Sequence, residues 1–235
     1  MLLRKGNYIL FSCCTFLLVT IVLFQSERAL CGDANLIPDI RILIDSTQSM
    51  EKTDPRSLRI SNLRLLVKLL PNGAKAGVWL FSDNILPFIS YGVVDDAWRI
   101  EALQIIDKTE IENAGQQANI PLALTKVLND SSNLDSRYRI GVILLTDGGL
   151  KVSSSPIDNA VASTRLLNEI AINFLDNNVP IHTIGLKQEV DKQLLGNLAE
   201  KTLGLFEQSD KPEELAKIYL NFLDMLDNKS FVPLT

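Results

Sequence analysis

The chain of 235 residues has little histidine and cysteine, the side chains on which nucleophile triads most often depend. His182 is its only histidine and lies inside an apolar run, where a core imidazole is the usual case, so a nucleophile triad has little to stand on. No Gly-x-Ser-x-Gly elbow and no phosphate-cradling glycine loop occurs anywhere in it. The three cysteines, Cys13, Cys14 and Cys31, are confined to the first 31 residues. The remainder therefore has neither a disulfide nor a thiolate zinc site to offer. Long Ser, Gly, Pro or Gln tracts are missing too, which removes the usual compositional sign of disorder. Positive charge is in deficit, with a formal net of −5, which disfavours a dedicated nucleic-acid binder. Setting aside Arg4, Lys5, Glu27 and Arg28 leaves a net of about −7. A cation is a ligand that such a chain suits.

What is present begins with a leader. Arg4 and Lys5 precede an apolar run from Tyr8 to Phe24, and Ala29-Leu30-Cys31 follows, with small residues at the two positions a leader peptidase reads. We read residues 1–31 as a secretory signal cut before Gly32 or, alternatively, as an N-terminal membrane anchor. Bulky Leu30 argues against a lipid anchor on Cys31. The expected location is the periplasm, or the inner membrane facing it. Residues 36–226 are expected to form one domain, and 227–235 a short tail.

Within the domain, apolar runs alternate with helical periodicity. Strands are expected at Asp39–Ile44, Ala76–Phe81, Ile85–Ile89, Arg139–Thr146, Ile181–Ile184 and Leu205–Phe206. Pro87 marks the third as an edge strand, joined to the second by the hairpin-like Ser82-Asp83-Asn84. Leu63, Leu66, Val67 and Leu70 share one helical face after Asp54-Pro55, read as an N-cap and first helical residue. Further helices are expected at Asp96–Lys108, from Pro121 with Leu122, Leu124 and Leu128, through Leu167, Ile170, Ala171 and Phe174, and at Leu194–Ala199. A last one carries Leu215, Ile218, Tyr219, Phe222 and Leu223. Strands alternating with helices predict an α/β fold, a doubly wound and mostly parallel central sheet of about six strands flanked by helices. One edge strand is antiparallel.

Two polar stretches stand where buried strands end. Asp45-Ser46-Thr47-Gln48-Ser49-Met50 follows Ile40–Ile44, and Thr146-Asp147-Gly148 follows Ile140–Leu145. In doubly wound sheets, ligands collect beyond the carboxyl ends of strands where strand order reverses. Asp45, Thr47, Ser49 and Asp147 offer only oxygens, the ligand type that a hard divalent cation such as Mg²⁺ takes in octahedral geometry. The plainer reading is a turn and helix-capping cluster, with Asp147-Gly148 as an Asp-Gly turn.

Asp45-x-Thr47-x-Ser49 after one buried strand and Thr146-Asp147-Gly148 after another resemble the von Willebrand factor type A domain, over essentially the whole chain beyond the leader. The stretch Leu66 to Trp79 is most similar to exported bacterial proteins with this domain. The resemblance implies a Rossmann-like fold, a metal-ion-dependent adhesion site at the top of the sheet, protein binding through an Asp or Glu of a partner, and no hydrolytic activity. It implies Asp45, Thr47, Ser49 and Asp147 as metal ligands, with Thr47 where serine is usual. The ion would be Mg²⁺, with Mn²⁺ or Ca²⁺ as substitutes. One position departs from the pattern: Ala118 falls where the family has a threonine ligand, which implies weaker binding or a resting-like geometry unless Gln116, Gln117 or Asn119 supplies a carbonyl oxygen instead. A scaffold with a decayed metal site is the alternative. A dehalogenase-type phosphohydrolase also begins with Asp after its first strand, but Thr47 stands where it needs a second Asp.

Overall fold

A computed structural model describes residues 36–109, 111, 115–129, 137–187 and 190–227. The expected leader, and the tail beyond residue 227, lie outside the described residues.

Strand β1 (Ile37–Asp45) occupies the middle of a six-stranded sheet. It pairs in parallel with β2 (Lys75–Phe81) on one side and β4 (Tyr138–Thr146) on the other. Beyond β2 lies β3 (Ile85–Val93), antiparallel and at the edge; beyond β4 come β5 (Ile181–Gly185) and the short β6 (Phe206–Gln208), both parallel. The order β3-β2-β1-β4-β5-β6 reverses between β1 and β4. The expected mostly parallel sheet with one antiparallel edge strand is what the chain forms.

Alternation along β1 explains why both sheet faces are covered. Ile40, Ile42 and Ile44 belong to one apolar cluster with Leu63, Leu66 and Val67 of α2 (Leu58–Leu69) and Tyr219 and Phe222 of α8 (Leu215–Asp227). Between these two helices in sequence lie α3 (Asp96–Lys108), α4 (Ile120–Asn129), α5 (Pro156–Arg165), α6 (Ala171–Asp176) and α7 (Lys192–Lys201). The four-residue helix α1 (Met50–Thr53) comes first, directly after β1. Leu43 joins the opposite cluster with Leu124 of α4, Phe174 of α6 and Leu195 of α7. Arg41, inside the expected apolar run, shares that second face. It is buried and pairs with Asp39 at 2.8 Å, and its guanidinium also donates to Val127 O at 2.7 Å. Tyr91 completes the group by donating its hydroxyl to Asp39 at 2.7 Å.

Several local expectations are corrected. Helix α2 begins at Leu58, so Pro55 lies in the preceding turn. The N-cap position is Ser57, whose side chain makes no capping bond, and the Asp54 carboxylate serves the first turn instead, accepting from Leu58 N at 2.7 Å and Arg59 N at 3.0 Å. On α4 the inward residues are Ile120, Ala123, Leu124 and Val127, while Leu122 points outward. A π-helical turn, Leu166–Ile170, inserts a residue between α5 and α6. The phase shift buries Leu166 rather than Leu167 while keeping Ile170, Ala171 and Phe174 inward. Strand β3 runs four residues past Ile89 to Val93. His182 is buried with one nitrogen engaged: Leu205 N donates to Nδ1 at 3.2 Å, and Nε2 has no hydrogen-bond partner among the described residues.

Candidate metal centre at the strand switch point

Parallel pairing of β1 with β4 brings Asp45 and Thr146-Asp147 to the same edge of the sheet. Asp45 ends β1 with no exposed surface, and its carboxylate is fully engaged. Oδ1 accepts from Thr47 N at 2.8 Å and Thr47 Oγ1 at 2.6 Å, and Oδ2 accepts from Thr146 Oγ1 at 2.6 Å. Burial raises its pKa above the ordinary carboxylate value. The hydrogen bonds from Thr146 and Thr47 oppose that shift, and the nearby Asp147 charge adds to it.

The second carboxylate is held by the other side of the same turn. Ser49 Oγ donates to Asp147 Oδ1 at 2.7 Å, and Thr53 Oγ1 donates to Oδ2 at 2.5 Å. Nothing in the sequence pattern marks Thr53 for this role. Helix α1 folds it back onto Asp147, four residues beyond Ser49, and that spacing is the only trace it leaves in the sequence. All four predicted residues thus form one chain of oxygens, from Asp45 through Thr47 and Ser49 to Asp147.

Within that chain Thr47 Oγ1 and Ser49 Oγ lie 3.0 Å apart, and either oxygen can donate in the contact. Adjacent ligands of an octahedral Mg²⁺ stand about 2.9 Å apart, because metal–oxygen distances are about 2.05 Å. The donor set therefore fits a small divalent cation, with hydroxyls completing what two carboxylates begin. Among the described residues no group of three or more His, Cys, Asp or Glu side chains converges on one point.

Above these residues lies an open cleft of about 650 Å³, whose walls include Gln48, Gln116, Ala118, Gly148, Gly149 and Lys151. Ala118 is on this wall, 6% exposed, and contributes no side-chain oxygen. Of the three suggested substitutes, Gln116 lines the cleft. Asn119 is committed to α4, its Oδ1 accepting from Leu122 N at 3.1 Å. The loop before α4 is pinned by main-chain contacts: Gln48 N donates to Gly115 O at 2.8 Å, Asn119 N to Ser82 O at 3.2 Å, and Lys151 N to Ala118 O at 3.1 Å. Gly115 is required there, since an added Cβ would fall 2.2 Å from Cβ of Ser82.

The sheet order and the oxygen cluster at its reversal define a doubly wound α/β protein with a ligand cleft at the switch point. More narrowly, the model of the von Willebrand factor type A domain matches residues 39–220, and the chain belongs to that family. Domains of this family commonly mediate protein–protein interactions. None of the curated proteins matches the sequence. Similar solved structures include a von Willebrand factor type A protein from Catenulispora acidiphila, with 18% identity, TM-score 0.62, and coverage of 80% of this chain and 42% of that one. Proximal thread matrix protein 1 from the mussel byssus, with a zinc-occupied MIDAS motif, has 18% identity, TM-score 0.61, and coverage of 82% and 48%. An aerotolerance-related membrane protein from Bacteroides fragilis NCTC 9343 has 14% identity, TM-score 0.57, and coverage of 80% and 99%. The chain spans less than half the length of the first two.

Proposed function

We propose that this is an exported binding module whose cleft takes a divalent cation, Mg²⁺ with Mn²⁺ or Ca²⁺ as substitutes. In this reading the cleft engages an Asp or Glu side chain of a partner protein. The observation that carries it is the run of oxygens from Asp45 through Thr47 and Ser49 to Asp147, whose two hydroxyl oxygens stand 3.0 Å apart, close to the spacing of adjacent ligands of an octahedral Mg²⁺. Asp45, Thr47, Ser49 and Asp147 would hold the ion, which when bound supplies a Lewis-acidic position for an incoming oxygen. Thr146 and Thr53 would orient the two carboxylates, and the remaining cleft would admit the partner. The zinc-occupied motif of the mussel relative supports the cation, and the reading of residues 1–31 as a leader motivates export. Binding rather than catalysis is the activity proposed.

Calorimetry with Mg²⁺ tests this directly. The expected result is uptake by the wild type and none by Asp45→Ala, with capture of partners from an exported fraction that EDTA reverses. Ala118 favours a second reading, a cation-independent scaffold. No uptake of Mg²⁺, Mn²⁺ or Ca²⁺, together with capture that persists in EDTA, would establish the scaffold instead. A Mg²⁺-dependent phosphatase activity lost in Asp45→Asn would point to an enzyme.

A further inference from the structure

Helix α5 turns its apolar residues outward. None of its ten residues is buried, and among the described residues it is the only helix of ten or more of which that is true. Ile157 and Val161, 75% and 63% exposed, stand four positions apart and so share one face. Exposed Ala160 and Thr164 continue the stripe at the third and seventh positions from Ile157. Thr164 Oγ1 donates to Ala160 O at 2.9 Å, which satisfies the hydroxyl within the helix and leaves the stripe apolar.

The polar face holds α5 to the cleft. Asn159, which lines the cleft, accepts through Oδ1 from Val152 N at 2.8 Å and Ser153 N at 3.1 Å, and donates through Nδ2 to Ser153 O at 3.1 Å. Ser155 Oγ caps the helix by accepting from Asp158 N at 3.3 Å, and Ser153 Oγ donates to Asp158 Oδ2 at 2.9 Å. Ile157 and Val161 each lie two positions from Asn159, so they face away from it across the helix. The stripe therefore stands about 10 Å beyond the cleft wall, the width of one helix.

Two side chains make no interface by themselves, since a stable one buries about 800 Å² on each partner. A second copy would have to supply the rest from a chain of net charge −5, against another of the same charge. A partner already anchored in the cleft needs only a small added contact. An extended segment advances about 3.4 Å per residue, so a side chain about three or four residues from the anchored carboxylate reaches the stripe. We infer that Ile157 and Val161 form an apolar subsite for the protein partner of the cleft, taking an aliphatic side chain in the same extended segment as the carboxylate. The inference rests on the cation-binding reading and adds the second feature of that partner.

Acetylated and amidated peptides test it, each with one aspartate and one leucine separated by two or three glycines, in both orders. Controls carry glycine in place of leucine. Each is titrated into Mg²⁺-saturated protein, with the amide resonances of Gly148 and Gly149 reporting the cleft and those of Ala160 and Val161 the stripe. At least one leucine peptide is expected to bind roughly three- to tenfold more tightly than its control, which corresponds to half-burying one leucine side chain. The double variant Ile157→Gln with Val161→Gln should lose that gain while binding Mg²⁺ and the controls as the wild type does. Both positions are exposed, so its urea midpoint should not move. A gain absent from every peptide, or kept in the double variant, would overturn the inference and leave the cation reading intact. Self-association of the wild type that the double variant abolishes would also overturn it, by assigning the stripe to a second copy. Controls that fail to bind the Mg²⁺-saturated wild type would remove the cation reading, and this inference with it.

Discussion

Ser49 donates its hydroxyl proton to Asp147 across 2.7 Å, joining residues 98 positions apart in the chain. The bond exists because β1 and β4 are parallel neighbours at the point where the sheet changes direction. It holds the turn after β1 against the end of β4, and Thr53 grips the other oxygen of the same carboxylate.

Replacing Thr53 by valine keeps the shape of the side chain and removes that grip. Asp147 then loses one of two partners that set its orientation, and Mg²⁺ affinity is expected to fall roughly tenfold, as for lost supporting contacts at other metal sites. Calorimetry measures the affinity. Urea unfolding without metal should show a loss of only about 1 kcal/mol.

Ala118→Thr restores a hydroxyl on the cleft wall. Mg²⁺ binding is expected to tighten several-fold by calorimetry, because one more protein oxygen replaces a water. Unchanged affinity would mean that another group, with Gln116 the nearest candidate on the wall, already supplies that oxygen.

Asp54 and Arg59 form an ion pair at 2.9 Å with both side chains almost wholly buried. Asp54→Ala leaves the guanidinium without its buried counter-charge and also removes the acceptor that serves the first turn of α2. Urea unfolding should show a loss of about 3–5 kcal/mol, far more than an exposed pair would cost. Restoring the folded baseline at low urea would establish that the variant still folds.

Burial lowers the pKa of His182 to about 4 from the ordinary 6.5. The unfolded chain therefore binds more protons than the native one between those values, and stability falls as pH drops from about 6.5 toward 4. The full effect is roughly 3 kcal/mol. Unfolding midpoints measured across this range should show a slope that His182→Phe reduces. An equal slope in that variant would assign the pH dependence to other groups.

The strands that carry the site are legible in the sequence, because Ile40–Ile44 and Ile140–Leu145 are apolar enough to mark both as interior. Asp45, Thr47, Ser49 and Asp147 are legible with them, since all four stand within a few residues of the end of such a run. Thr53 is not, because its role depends on how far a four-residue helix turns, which no periodicity records. The π-helical turn defeats the period of 3.6 by inserting one residue, so the pattern selects Leu167 where the fold uses Leu166. Burial of Arg41 depends on Asp39, Tyr91 and Val127, three partners supplied by different elements.

The main-chain bonds from Gln48 to Gly115, Asn119 to Ser82 and Lys151 to Ala118 join the loops around the cleft to one another. A cation arriving there meets walls already braced against one another. The work of capture then falls on stripping its hydration waters, not on gathering chain, and the pace of exchange is expected to follow the ion's own water-exchange rate.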